Sequence, residues 1–306
     1  MKNPVPLFSE AISKIIVKYI EPDSILSINV KVNQTNAPWN LGRISHRKKT
    51  DIKGGYVFNP KAGEGTTSYV IDTGIDIQHP EFEGRASWGA TFAKDGDTDF
   101  HGHGTYTAGI IGSKTYGVAK KTKLIAVKVL DKNGSARLSD VIAGITWAAK
   151  HARQHNHGKS VAALTAGGSA SDAMDEAINK AVESGLPFAV VAGGDNSDGC
   201  KYSPCRAAKA ICIGATDAND KKASFSNYGK CVTLFAPGVS VPSTWPGNKN
   251  NTISGTTPSA AHGAGLIAYF LALKQRDPAS MLAYLKQIAT KDALPGYDLV
   301  YNDSGL

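Results

Sequence analysis

The sequence predicts an α/β protein in which a mostly parallel central sheet is flanked by helices. Three observations predict it. Short apolar runs of strand length alternate with longer segments whose apolar residues recur at helical spacing. Each helical segment has one apolar face, which must be buried on a sheet. The 32 glycines suit a loop-rich fold with backbone-lined clefts.

The elements follow in order. Ile12, Ile15, Ile16, Tyr19 and Ile20 recur at helical spacing after Ser9, a candidate N-cap. Residues 24–30 read as a strand and residues 31–37 as a linker. From Pro38 the chain reads as one domain, without internal repeats or low-complexity segments. Ser68-Tyr-Val-Ile71 and Leu124-Ile-Ala-Val-Lys-Val-Leu130 are strands. Ser139 is expected to cap a helix with Val141, Ile142, Ile145, Ala148, Ala149 and Ala152 on one face. Val161-Ala-Ala-Leu164 is the next strand. Ser171 caps a second helix, with Ala173, Met174, Ala177, Ile178, Ala181 and Val182 on one side and Gly185 ending it. Phe188-Ala-Val-Val191 and Ala210-Ile-Cys-Ile-Gly214 complete the strands. Asp72, Gly167-Gly168 and Gly193-Gly194 follow strands directly, where sites of parallel sheets form.

Composition narrows the function classes. The net charge is +8, but the basic residues are dispersed, and the longest clusters are His46-Arg47-Lys48-Lys49 and Lys120-Lys121. A solvated basic surface is expected, not a nucleic-acid partner. No run of about 18 apolar residues exists, so no membrane-spanning helix is expected. The opening residues lack the apolar core of a signal peptide. Cys200, Cys205, Cys212 and Cys231 contain no Cys-x-x-Cys pair, which argues against zinc; one or two disulfides are open, with the pairing undetermined. Asn33, Asn133, Asn250 and Asn302 each begin a glycosylation acceptor triplet. His101, His151, His155 and His157 read as surface or satisfied polar residues, and the tryptophans as packing residues.

Three motifs carry chemistry: Asp72 in Tyr69-Val-Ile-Asp-Thr-Gly74, His103 in Gly102-His-Gly-Thr105, and Thr257 in Ser254-Gly-Thr-Thr-Pro-Ser-Ala-Ala-His262. Acyl transfer from a peptide needs a nucleophile, a base, a group that orients the base, and donors for the oxyanion. A carboxylate at a strand end, an imidazole opening a helix and a hydroxyl opening another form such a kit. Asp72-Thr-Gly taken alone is also the triplet of aspartic peptidases, where two carboxylates share a proton. That reading needs a second carboxylate of the same kind.

On these motifs, and on Ala37-Pro-Trp-Asn-Leu-Gly-Arg-Ile-Ser-His46, Tyr116-Gly-Val-Ala119, Ala126-Val-Lys-Val-Leu130, Phe225-Ser-Asn-Tyr-Gly-Lys-Cys-Val232 and Phe235-Ala-Pro-Gly238, the chain resembles the subtilisin-like serine peptidases. It is similar to the proteinase K branch and most of all to fungal vacuolar, cerevisin-type members. The resemblance covers residues 37–306 and implies a three-layer subtilisin-like domain. Residues 14–30 resemble the last part of the family's inhibitory propeptide, so 1–36 are expected to be a propeptide remnant plus linker. The resemblance implies that Asp72 orients the base and His103 is the base. It gives Thr165, Ala166, Gly167 and Gly168 the role of a substrate-pairing strand, and Ala192, Gly193 and Gly194 that of the facing pocket wall. It implies a roomy pocket, broad or apolar preference, a peptide or protein partner, a monomer, and a vacuolar or secreted location.

The departures cluster at the chemistry. Thr257 stands where the nucleophilic serine belongs, and its extra methyl restricts side-chain rotation. Asp195-Asn196 follow Gly194 where the oxyanion asparagine is expected: either Asp195 replaces it, or a deletion brings Asn196 near. Pro258 and Ser259 replace Met-Ala; proline is welcome in a helix's first turn, and Ser259 and Ser254 are expected to face elsewhere. Thr233 stands where the family often has a calcium-ligating aspartate, which puts that calcium site in doubt; no cofactor is expected, with calcium held by other carboxylates left open. Two readings follow: a peptide-binding relict with impaired catalysis, or an active endopeptidase that uses Thr257.

Overall fold

The structure, a computed structural model, describes residues 31–156, 158–273 and 280–306. The helix expected over residues 12–20, the strand at 24–30 and His157 lie outside them. Residues 31–37 are not simply linker. They hold strand β1 (Val32–Gln34), and after helix α1 (Trp39–Ser45) the chain returns as β2 (Tyr56–Phe58), antiparallel to β1. Such a ribbon is joined through backbone groups, so the polar side chains of 31–36 did not forbid it.

Strands β3 (Thr67–Asp72) and β4 (Ala86–Thr91) lead to helix α2 (His103–Gly112). Then come β5 (Lys123–Lys128), helix α3 (Leu138–His155), β6 (Ser160–Leu164), β7 (Gly168–Ser169) and helix α4 (Asp172–Glu183). β8 (Phe188–Val191), β9 (Tyr202–Ser203), β10 (Ile211–Thr216) and β11 (Leu234–Pro237) follow, then the hairpin β12 (Val241–Trp245) and β13 (Lys249–Ile253). Helices α5 (Thr256–Leu273) and α6 (Met281–Ile288) precede the last strands, β14 (Thr290–Leu294) and β15 (Tyr297–Leu299).

Among the described residues, nine strands form the main sheet in the order β14-β15-β11-β10-β8-β6-β3-β5-β4. Neighbours are parallel except β14 and β15. The order reverses at β3, which has β5 on one side and β6 on the other. The carboxyl end of β3 is therefore a switch point, where open parallel sheets leave a crevice.

Alternation along the strands separates two cores. Tyr69 and Ile71 of β3 face the core shared with Val141, Ile145 and Ala148 of α3 and Ile178 of α4. Val70 faces the other, with Tyr106 and Ile110 of α2 and Ala264 and Ile267 of α5. This is the three-layer α/β fold expected from the sequence. Helix α5 is buried on nearly every side. It packs so closely that a Cβ on Gly263 would lie 1.9 Å from Cδ1 of Ile213.

Two helix starts differ instructively. Ser171 caps α4 as expected, accepting from Met174 N–H at 3.3 Å. Gly185 then ends the helix at φ +99, with Leu186 N–H reaching back to Ala181 O. Ser139 does not cap α3. That helix starts at Leu138, its N-cap is Arg137, and no side chain caps it. Ser139 sits in the first turn, where Asp140 supplies the negative charge that favours a helix start. No helix among the described residues is long and apolar enough to cross a membrane.

Candidate active site

Asp72 ends β3, fully buried at the switch point. A buried carboxylate survives only if its lone pairs are satisfied. Thr73 N–H donates to Oδ1 at 2.6 Å, and His103 Nδ1 lies 2.8 Å from both oxygens. Thr107 donates to Oδ2 at 3.2 Å and Thr165 donates to the same oxygen. Burial acts to raise the Asp72 carboxyl. The His103 charge, and hydrogen bonds from His103, Thr165 and Thr73, outweigh it and hold the group below the ordinary carboxylate range. Burial likewise acts to lower the His103 imidazole, but the charge and hydrogen bond of Asp72, with a further contribution from Asp99, raise it.

His103 is the first residue of α2, and Asp99 fixes that helix start. Its buried carboxylate accepts from Gly102 N–H (2.8 Å), Thr105 N–H (2.9 Å), Thr105 Oγ1 (2.6 Å) and Thr73 Oγ1 (2.8 Å). Two backbone donors at the helix start are thereby paired, and the Thr73 hydroxyl ties that start to the turn after β3. Gly104 lets α2 approach the turn after β3: a Cβ there would stand 2.0 Å from Gly74 O. Buried Lys128 holds the same turn, donating to Thr73 O at 2.8 Å and Leu130 O at 3.0 Å. Asp99, Thr107 and Lys128 were not singled out from sequence. Two signals were there: an acidic residue four positions before His103, and a threonine one helical turn after it, on the same face.

Thr257 Oγ1 lies 3.0 Å from His103 Nε2 and 3.4 Å from Thr165 O. With His103 Nδ1–H donating to Asp72, Nε2 is the acceptor and the Thr257 hydroxyl donates. The three motifs thus meet in one hydrogen-bonded line. Behind it, His262 of α5 donates through Nδ1 to Pro258 O (2.7 Å) and accepts through Nε2 from Asn40 Nδ2 (2.8 Å). Burial pushes this imidazole down to about 4, against the Pro258 hydrogen bond. It is therefore neutral at neutral pH. Ser259 is buried and donates to Ala236 O at 3.0 Å. Ser254 lies just past β13 and accepts from Ser240 N–H. Neither extends the line.

A second triplet of this kind is present, Asp303-Ser304-Gly305. Asp303 is exposed, and Ser304 is buried and donates to Ser45 O. The partners of Asp72 are an imidazole, hydroxyls and an N–H, not a second carboxylate, so no shared-proton pair forms.

Three of the remaining predicted residues line a cavity that begins one residue after Thr165. Ala166, Gly167 and Gly168 bound a cavity of about 480 Å³ together with Leu130, Ser135, Ala136, Leu138, Val141 and Met174. Thr165 precedes them in the chain, and its hydroxyl holds Asp72. In the segment expected to form the facing wall, Gly193 N–H donates to Thr256 Oγ1 at 3.3 Å, next to Thr257. Asn227 pins this wall: its amide donates to Ala192 O and accepts from the N–H groups of Asp195 and Ser197. The Asp195 side chain is exposed and without a hydrogen-bond partner among the described residues. Asn196, in the left-handed region at φ +47, has its amide oxygen taken by Lys222 Nζ at 2.9 Å. Disulfides Cys200–Cys231 and Cys205–Cys212 staple the segment behind this wall.

Thr233, at the position compared with a calcium-ligating aspartate, gives both its N–H and its hydroxyl to Cys212 O. It brings no carboxylate, and that carbonyl already accepts two hydrogen bonds.

Residues 63–301 match the model of the subtilase family, Peptidase_S8. The chain is 48% identical over 265 residues to the subtilase-type proteinase isp6 of Schizosaccharomyces pombe, covering 85% of this chain and 57% of that protein. It is 45% identical over 303 residues to subtilisin-like protease 8 of Arthroderma otae, covering 91% of this chain and 62% of the relative. The chain therefore spans about three fifths of the length of these relatives. Among solved structures, that of a cold-adapted subtilisin-like serine proteinase superposes with a TM-score of 0.83 at 38% identity, covering 87% of this chain and 98% of that one.

Proposed function

The chain belongs to the subtilase family, and on that premise we propose that it binds extended peptides beside Thr257 while hydrolysing them poorly or not at all. The observation that carries this reading is the turn after Gly194. There Asp195, an exposed carboxylate, stands where the asparagine is expected, and Asn196 is tied to Lys222 through its amide oxygen. An oxyanion needs N–H donors; a carboxylate offers none and repels the developing charge. In subtilisin itself, removing one such donor costs about 10²–10³ in kcat, a figure for that enzyme and not for this chain. Thr257 adds a second lesion, because its methyl limits rotation about the bond that must swing Oγ1 toward a carbonyl. Binding requires neither group. It uses the backbone of Thr165–Gly168 and a cavity whose Leu130, Leu138, Val141, Ala166 and Met174 suit an apolar side chain.

A second reading, an active peptidase, is favoured by the 3.0 Å separation of Thr257 Oγ1 and His103 Nε2. In it Thr257 attacks the scissile carbonyl, His103 takes the hydroxyl proton, and Asp72 holds the imidazole in its tautomer. A fluorophosphonate probe and a peptide substrate separate the two. We expect the native chain to label and turn over no better than Thr257→Ala, while still binding an apolar peptide. Labelling at Thr257, with turnover lost in Thr257→Ala, establishes the second reading instead.

A further inference from the structure

Four Asn-x-Ser/Thr triplets occur, at Asn33, Asn133, Asn250 and Asn302, and none of these asparagines has a part in the site described above. All four cysteines are paired, as Cys200–Cys231 and Cys205–Cys212. Such pairs form and persist in oxidising compartments and are rare in the reducing cytosol. In a eukaryotic cell the oxidising lumen is also where asparagines in this triplet receive oligosaccharide.

The fold sorts the four candidates. Asn302 is fully buried, and its amide donates to Val57 O at 2.7 Å. Asn33 donates to Gly54 O at 2.9 Å, and its Oδ1 lies 2.5 Å from where a Cβ on Gly55 would stand. Its amide is thus packed on backbone although the residue is exposed. Asn133 is exposed at the tip of a tight turn. The N–H groups of Asn133 and Ser135 both donate to Asp131 Oδ1, and Gly134 takes φ +71. Asn250 is exposed on β13, and so is Thr252, the hydroxyl residue of its triplet. The Asn133 side chain reaches Asp131 and the Asn250 side chain reaches Tyr116. A glycosylated amide keeps one N–H, so either contact survives attachment.

We propose that Asn133 and Asn250 carry N-linked oligosaccharides and that Asn33 and Asn302 do not. The co-reactant is a lipid-linked oligosaccharide pyrophosphate, delivered by a transferase of the host cell. A bond forms between Nδ2 and C1 of the first sugar. The C1–O bond to the lipid pyrophosphate breaks, and that leaving group departs with the electron pair. The amide nitrogen gives one proton to the transferase. The glycan on Asn133 stands at the rim of the 480 Å³ cavity, because Gly134, Ser135 and Ala136 line it. It therefore screens the cleft from bulky folded partners and leaves it open to extended chains. The proposal stands whether or not Thr257 is active.

The test uses protein isolated from its own cells. Digestion with a peptide N-glycosidase in heavy-oxygen water converts each glycosylated asparagine to labelled aspartate, which peptide mass spectrometry locates. The expected result is label at 133 and 250, with unlabelled asparagine at 33 and 302. No label at 133 and 250, or label at 33 or 302, overturns it. As an independent measurement, Asn133→Gln and Asn250→Gln should each remove one glycan step in gel migration. Unchanged migration in both variants overturns the proposal as well.

Discussion

His103 and His262 sit on α2 and α5, two helices that pack against each other at the site, and their surroundings push them in opposite directions. His103 lies against a buried carboxylate that it pairs with, so its charged form is favoured. His262 lies among apolar neighbours and exchanges neutral hydrogen bonds with Pro258 and Asn40, so its charged form is penalised. The contrast extends to the two halves of the site. The Asp72–His103 half is over-determined: Thr73, Thr107, Thr165 and Asp99 supply or accept hydrogen bonds that fix it. The Thr257–Asp195 half is held by Asn227 and His262, and on the proposed reading it is the half whose substrate-facing groups differ from the family's. The proposed reading therefore separates scaffold from chemistry.

The strongest way to break this comparison is to repair the second half alone. Thr257→Ser combined with Asp195→Asn should raise peptide turnover between about 10³- and 10⁶-fold, spanning what such lesions cost in subtilisin, where the effects are not additive. Steady-state kinetics reads it. A repaired chain that stays as inert as Thr257→Ala would mean that the first half is not in working order.

Acid sharpens the contrast between the histidines. The unfolded His262 titrates near 6.5 and the folded one near about 4. Between those values the unfolded chain binds the extra proton, so stability falls as pH falls, by about 3 kcal/mol in all. His103 has the opposite sign. Its folded value is raised, so its contribution is complete below 6.5 and fades as pH rises through the raised value. Thermal unfolding of the native chain and of His262→Gln should differ most at about pH 7 and converge by about 3 kcal/mol toward pH 4. A gap that stays constant with pH is incompatible with a neutral buried His262.

The smallest expected effect tests the first half. Asp99→Ala strips three hydrogen bonds from the start of α2 and one from Thr73 in the turn after β3. It should cost about 2 kcal/mol, measured by urea unfolding. It should also lower the His103 titration seen by NMR, because the Asp99 charge helps raise that group.

Much of this was legible in the sequence, for local reasons. Apolar runs such as Tyr69-Val-Ile71 mark strands wherever they fall, and Ser171 announces a helix because its hydroxyl competes for a nearby N–H. Ser139 misled because a serine one residue inside a helix looks the same in one dimension as a cap. The ribbon at Val32–Gln34 was missed because its pairing is made by backbone groups and carries no side-chain pattern. Asp99 and Thr107 were legible only by spacing from His103, a signal that gains meaning once His103 is known to face a buried carboxylate.

By itself the sequence determined which residues could do chemistry and which strand or helix each would end or open, because motifs and periodicity are local properties of a chain. Tertiary structure alone decided that Asp72 and His103, 31 residues apart, and His103 and Thr257, 154 apart, share hydrogen bonds. It likewise chose one of the three pairings open to four cysteines and made one histidine charge-favoured and the other neutral. The reason is physical. Hydrogen bonds and desolvation act over a few ångströms, and only the reversal of strand order at β3 sets which distant residues come that close.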